Sequence, residues 1–193
     1  MNAQSYSCAT ALPAALGLEV LTSPVTLLDV GGGSAIYPIH AALRSPHVSG
    51  IVYELPAIKP ITEEFISAAG LAGRIGVVAG DFFTEDPFPA ADLVLFANIL
   101  HDWPDDTNVR LLQKAYDCLS PGGRVVISEL LLADDVVSSS SSATSMNVIM
   151  LPWTKGRQYR PKELFRRLSR IGFTSPGALP LVDDYGLVVA TKP

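Results

Sequence analysis

The sequence predicts an α/β fold: a mostly parallel sheet of seven strands with an antiparallel edge, flanked by helices on both faces. Three observations carry this. Apolar, β-branched runs alternate with segments of helical spacing through residue 129, the pattern of a doubly wound sheet. The strand runs are almost continuously apolar, as in sheets buried on both faces. The first run, Val25 to Val30, opens onto Gly31-Gly32-Gly33-Ser34 and a helix-like stretch, which reads as strand, tight turn and helix start.

In chain order, residues 7–20 read as a helical lead-in interrupted near Pro13. Strand one is 25–30, and helix one runs over 34–44 until Pro46. Ile51-Val52-Tyr53-Glu54-Leu55 is strand two. Ile58, Ile61, Phe65, Ile66 and Ala69 recur at helical spacing over 58–70. Strand three is 74–79 and strand four 91–97. Val109, Leu112, Ala115, Tyr116 and Leu119 share one face of a helix over 105–119. Pro121-Gly122-Gly123 reads as a turn before strand five, 124–129. The unbroken serine run from Ser138 to Ser142 reads as a flexible polar tract. An apolar helix follows from Met146 to Trp153, then another from Leu164 to Ile171, ended by Gly172. Two strand-like runs within 180–191 supply the antiparallel edge.

At 193 residues the length predicts one domain over 1–193, with 1–24 as its lead-in. A hydrophobic content of 48% is globular, and a net charge of −5 argues against a nucleic-acid surface. No apolar run reaches the ~18 residues of a membrane span. No positively charged start precedes the first apolar stretch, which disfavours a signal peptide. Cys8 and Cys118 form neither a disulfide framework nor a metal pattern. The three histidines show no ligand spacing, so no metal is expected. A reducing cytoplasm is the default location.

The glycine turn narrows the ligand. A dinucleotide fingerprint needs a sixth-position glycine, where this chain has Ile36, and a phosphate loop needs Lys followed by Ser or Thr, which is absent. Asp29 would repel a pyrophosphate. It suits a ligand with cationic and hydroxyl-bearing groups, and S-adenosylmethionine has that chemistry. Ligands of open α/β sheets lie beyond the carboxyl ends of the strands. Those ends carry Asp29, Glu54, Asp81 with Phe82, Asn98, His101-Asp102-Trp103 and Glu129. A carboxylate at Glu54 can accept two ribose hydroxyls. Asp81 can accept an adenine amine while Phe82 packs on the ring. Each acid also has an ordinary reading as a helix cap or loop charge. His101 has the pKa range of a base working on a hydroxyl, and Glu129 is placed to hold its tautomer.

Taken together, Asp29 with its three glycines, Glu54-Leu55-Pro56, Gly80-Asp81-Phe82-Phe83, Ile99-Leu100-His101-Asp102-Trp103, Pro121-Gly122-Gly123 and Ser128-Glu129 resemble the S-adenosylmethionine-dependent O-methyltransferases. The type is that acting on caffeic acid, flavonoids and acetylserotonin, with its microbial relatives. The resemblance spans about residues 1–192. It implies a Rossmann-like class I methyltransferase fold and S-adenosyl-L-methionine as cofactor, with S-adenosyl-L-homocysteine as product. It places Asp29, Gly31, Gly33, Glu54, Asp81, Phe82 and Asn98 on the cofactor, with Trp103 near the methionine end. His101 becomes the general base flanked by Glu129, and Met146, Asn147, Met150 and Gln158 face a small hydroxyl-bearing acceptor.

Three departures accompany it. Members usually carry about 100 or more residues of a winged-helix-like dimerisation domain before this point, and this chain starts at what resembles the junction. A homodimer, or a partner supplying that domain, is therefore expected. Arg157-Gln158-Tyr159-Arg160 stands where Lys-Glu-Arg-Thr is frequent, so a neutral amide replaces a second glutamate beside the base. Ala97-Asn98 replaces a frequent Lys or Arg near the adenine. The alternatives are a cofactor-binding domain without independent methyl transfer, and a relative that holds the cofactor structurally for other chemistry.

Overall fold

A computed structural model describes residues 2–134, 140–150 and 152–193. Seven strands form one sheet in the order β3-β2-β1-β4-β5-β7-β6. They are β1 (Val25–Val30), β2 (Val48–Glu54), β3 (Ile75–Ala79), β4 (Ala91–Ala97), β5 (Leu119–Leu130), β6 (Thr174–Val182) and β7 (Tyr185–Thr191). The helices are α1 (Asn2–Ala15), α2 (Ile36–Arg44), α3 (Lys59–Ala68), α4 (Asp105–Cys118), α5 (Ser141–Met150) and α6 (Pro161–Ile171). Pairs β1–β2, β2–β3, β1–β4 and β4–β5 are parallel, whereas β7 runs antiparallel to both β5 and β6. The expected mostly parallel sheet with an antiparallel edge is thus present.

Alternation along the central strands splits the core into two layers. Leu28, Val30, Val94 and Phe96 face α4 and α6 through Leu111, Leu112, Leu164 and Leu168. Leu27, Leu93 and Leu95 face α1 and α2 through Leu12, Tyr37 and Ala41. Strand order reverses between β1 and β4, so the loops after them diverge and leave a crevice at their carboxyl ends. Every parallel strand points its carboxyl end toward that edge.

Of the boundaries that differ from expectation, four have a clear local reason. Helix α1 continues through Pro13. Proline there removes one late hydrogen bond, and burial of Cys8, Ala9 and Leu12 holds the turn together. The Pro121-Gly122-Gly123 turn is absorbed into β5 as an irregularity: Ala91 pairs with Leu119 and Leu93 with Arg124, with Gly122 at φ 79. Strand β6 begins at Thr174, before the expected run, because an edge strand tolerates Pro176 and Pro180. Helix α5 starts at Ser141, inside the serine run, because Ser140 Oγ accepts the Ala143 N–H at 3.1 Å as a cap. Ser138 and Ser139 of that run, and Leu151 of the expected apolar helix, lie outside the described residues. No described helix is long and apolar enough to cross a membrane.

Candidate active site

The crevice holds a cavity of about 360 Å³ lined by the glycine turn, the β4–α4 loop and α5. A larger one of about 470 Å³ lies behind Phe82 and Phe83, against α4. It gathers no strand-end acids. The smaller cavity is the candidate site because buried polar groups converge on it.

Asp29 follows from β1 alternation. It lies on the α1/α2 side of the strand, one residue before the chain turns. It is 1% exposed, and neither carboxylate oxygen has a hydrogen-bond partner among the described residues. Burial, reinforced by the nearby Glu54 charge, pushes its carboxyl up to about 7. An unpartnered buried carboxylate is costly and fits a cationic or hydrogen-bond-donating ligand. Gly32 exists for this carboxylate: a Cβ there would overlap Asp29 Oδ2 and lie 3.0 Å from Val52 Cγ1. Gly31 at φ 70 and Gly33 at φ 53 make the left-handed turn itself. Gly32→Ala is therefore expected to destabilise the chain by about 1–3 kcal/mol through overpacking and to weaken cofactor binding. Thermal melting and calorimetry together check this; retention of both properties would remove Gly32 from the site.

Glu54, ending β2, accepts the Gly33 N–H at 2.9 Å through Oε2 and the Leu55 N–H at 2.7 Å through Oε1. It braces the turn from the rim and does not line the cavity. Asp81 also lies off the cavity, and its Oδ1 accepts the Phe83 N–H at 2.9 Å. Phe82 reaches back to the turn, 3.7 Å from where a Gly31 Cβ would be. Trp103 packs edge-on against Phe82 and Phe83, with centroids at 6.0 and 4.6 Å, so it belongs to an aromatic wall beside the turn. Asn98 lines the cavity at φ 55, a left-handed conformation that asparagine tolerates better than most residues.

His101 sits in a short 3₁₀ turn, Leu100–Asp102, and lines the same cavity. Glu129, fully buried at the end of β5, lies behind it. Glu129 Oε1 accepts the His101 backbone N–H at 3.1 Å, and Oε2 faces Nδ1 at 3.8 Å. At that separation the two do not hydrogen-bond, and neither Nδ1 nor Oε2 has a hydrogen-bond partner among the described residues. On the other side, Nε2 is 3.6 Å from Asp102 Oδ1. Burial lowers the His101 pKa, against the opposing pull of Asp102. Burial pushes the Glu129 carboxyl up to about 8, against backbone N–H groups that pull it down.

Met146, Met150 and Gln158 line the acceptor end. Gln158 is fully buried, but its Nε2 donates to Met150 Sδ at 3.0 Å rather than to His101. A thioether sulfur only accepts, so the amide nitrogen faces it and the amide ties α5 to this wall. Gln158 thus lines the cavity as expected but is tied to Met150. Asn147 does not line the cavity; its Oδ1 accepts the Gln158 backbone N–H at 2.9 Å. Sequence reasoning placed Asp102 at the ligand edge without a role, and missed Tyr185 and Leu130 as cavity-lining groups. Asp102 was adjacent to the base and readable. Tyr185 and Leu130 meet only through β5–β7 pairing.

Comparison with known proteins decides the family. The sequence profile of the O-methyltransferase domain family matches residues 2–174. The chain belongs to that family. It is 39% identical over 183 residues to a 3-hydroxy-5-methyl-1-naphthoate 3-O-methyltransferase of Streptomyces sahachiroi, covering 90% of this chain and 52% of the relative. It is 36% identical over 179 residues to an L-tyrosine C(3)-methyltransferase of Streptomyces lavendulae, covering 89% and 48%. Among solved structures it resembles the apo S-adenosylmethionine-dependent methyltransferase SibL, with a TM-score of 0.89 and 33% identity over 100% of this chain and 57% of that one. The fold is accordingly that of the class I methyltransferases. The chain spans about half the length of the curated relatives it matches.

Proposed function

We propose that this chain transfers a methyl group from S-adenosylmethionine to a hydroxyl of a small aromatic acceptor, with His101 as general base. One observation carries the reading: His101, backed by Glu129, lines the same cavity as Asp29 and the glycine turn. Donor-binding chemistry and proton-accepting chemistry therefore share one crevice.

The donor set fits the cofactor. Asp29 offers negative charge to its cationic part, the glycine turn permits close backbone approach, and Glu54 with Phe82 borders the turn where a nucleoside would lie. When bound, the cofactor supplies a methyl group on a positively charged sulfur, electrophilic without further activation. The protein's part is alignment and proton removal. Glu129 accepts from Nδ1–H, which leaves the Nε2 lone pair for the acceptor hydroxyl. The hydroxyl proton passes to Nε2 as the oxygen attacks. Met146 and Met150 give the acceptor ring a soft apolar wall and exclude water.

A second reading comes from the relative named as a C-methyltransferase. The same base would take a phenol proton, the charge would delocalise to the ring carbon beside the oxygen, and that carbon would attack. The ring proton would leave afterwards. Incubation with cofactor labelled with ¹³C at the methyl group, against hydroxyarenes, separates the readings. A methoxy signal is expected, and an aryl-methyl signal would move the attack to carbon. Cofactor binding with no labelled product from any acceptor would leave a binding domain without independent transfer.

A further inference from the structure

We infer that Asn108 and Tyr159 are positioning residues for the base: together they clamp the turn that carries His101 and act on methyl transfer only through it. This rests on the methyl-transfer reading above and adds two residues to it.

His101 and Glu129 come from different elements, the β4–α4 loop and the end of β5, and their side chains stand 3.8 Å apart without a hydrogen bond. They do not fix each other, so the imidazole lies where the Leu100–Asp102 turn puts it. Glu129 Oε1 holds that turn at one point, the His101 N–H. Asn108, near the start of α4 and 1% exposed, holds it at two more. Its Nδ2 donates to the Leu100 carbonyl at 2.8 Å and to the Trp103 carbonyl at 3.1 Å, one just before His101 and one just after Asp102. Carbonyls only accept, so the amide nitrogen must face them.

The same nitrogen lies 2.8 Å from the Tyr159 hydroxyl. Tyr159 is fully buried. Its hydroxyl accepts from Asn108 and has one proton to give, with Asp105 Oδ1 at 3.1 Å and the Trp103 carbonyl at 3.3 Å as acceptors. Asp105 is fixed in turn by Arg167, whose Nη2 is 2.6 Å from Oδ2. The guanidinium carbons of Arg157 and Arg167 lie over the Tyr159 ring, 4.6 and 4.4 Å from its centre. On its backbone side, the Tyr159 carbonyl accepts the Leu132 N–H at 3.0 Å, three residues past Glu129. One residue thus ties the strand end that bears Glu129 to the turn that bears His101. Gly156 presses on that turn as well: a Cβ there would overlap the His101 carbonyl and lie 2.6 Å from the Trp103 nitrogen. Asn108, Tyr159 and Gly156 do not line the cavity, so whatever they contribute to the reaction passes through the turn. A displacement of about 1 Å at a reacting group costs up to about 10²-fold in rate.

The test uses the full chain with S-adenosylmethionine, and 1-naphthol, 3-hydroxy-2-naphthoate and catechol as acceptors. Asn108→Leu keeps the volume and removes both donors; Tyr159→Phe keeps the ring and removes only the hydroxyl, and carries the test if the first does not fold. The expected fall in kcat is about 10–10²-fold for Asn108→Leu and about three- to tenfold for Tyr159→Phe, with acceptor KM and cofactor affinity within about twofold of the parent. The double variant should be about as slow as Asn108→Leu alone, since both residues work on one turn. In a His101→Gln background neither should slow the residual rate further. Equal slowing in both backgrounds, a loss carried by KM or cofactor affinity, or an unchanged kcat would overturn the proposal. The His101 imidazole ¹⁵N signals, identified by their loss in His101→Gln, give a readout without turnover. A loosened turn admits water and weakens the burial that lowers this histidine, so its titration should move up by about 0.5 in pH or more, with His40 and His47 unmoved. A parent chain that binds cofactor and methylates none of the three acceptors would sink the methyl-transfer reading, and the titration alone would then decide: an unmoved His101 in both variants would overturn the clamp.

Discussion

His101→Gln is expected to lower kcat by about 10²–10⁴-fold, roughly 3–5 kcal/mol of transition-state stabilisation. Glutamine keeps polarity and approximate size but cannot take a proton. Cofactor affinity should hold, because Asp29 and the glycine turn rather than His101 form the donor end. The pH dependence sharpens the test. Burial keeps His101 below its ordinary value of ~6.5, so the imidazole is neutral at pH 7 and able to accept. Glu129, pushed up to about 8, is protonated below that pH. A protonated carboxyl can donate to Nδ1 and force the tautomer with Nε2–H toward the acceptor, which is useless for a base. Ionised Glu129 accepts from Nδ1–H and frees Nε2. Activity is thus expected to rise as pH climbs toward about 8, by up to about tenfold per unit. In Glu129→Gln that limb should disappear: the amide oxygen still accepts from Nδ1–H at every pH, but without charge to stabilise the imidazolium. The plateau should be lower and flatter. An unchanged kcat in His101→Gln would sink the base assignment, and a surviving limb in Glu129→Gln would remove Glu129 from the pair.

Which parts of this were legible in the sequence depends on how local their causes are. β1 and β4 are read directly because most of each run is buried and almost continuously apolar. The glycine turn is legible because its cause, the Asp29 carboxylate beside Gly32, is three residues away. His101 and Glu129 are legible as strand-end polar groups, since parallel topology puts all such ends on one side. The start of α5 is obscured because serine is both a linker residue and a cap, and only the Ser140 bond to Ala143 tells them apart. β6 is obscured because its prolines are tolerated only at an edge, a property of the finished sheet. The acceptor wall is least legible. Leu130 faces Tyr185 only through β5–β7 register, and Gln158 reaches Met150 from a different segment. No spacing rule encodes either contact.

Asp29→Asn should separate what the donor end costs from what it does. In the ligand-free chain, the Asp29 carboxyl sits at about 7, against ~3.9 in an unfolded chain. A raised folded-state value means that the folded chain holds its proton more tightly. The associated stability is present below about pH 4 and is lost as pH rises through about 7. Three decades of proton affinity correspond to on the order of 4 kcal/mol across that window. Asparagine does not ionise, so the variant should show a flatter stability profile. It should be less stable than the parent at pH 5, where its amide replaces a neutral acid in a site without partners, should gain on it as pH rises to about 7, and should keep a constant difference above that. From pH 5 upward about two of those decades remain, so at about 2–4 °C per kcal/mol for a chain of this size the difference in melting temperature should swing by roughly 5–10 °C. Cofactor binding should move the other way. Removing one member of a buried charge pair costs about 2–5 kcal/mol, so affinity for S-adenosylmethionine should fall by about two orders of magnitude or more. The parent's affinity should also strengthen with pH up to about 7, since a cationic ligand binds the ionised acid and expels its proton, whereas the variant's should not. Calorimetry in two buffers of different ionisation heat reads that proton directly. An unaltered affinity, or a melting difference that ignores pH, would mean that Asp29 merely fills space behind Gly32. The expected result makes the buried acid a stability cost that the bound cation offsets.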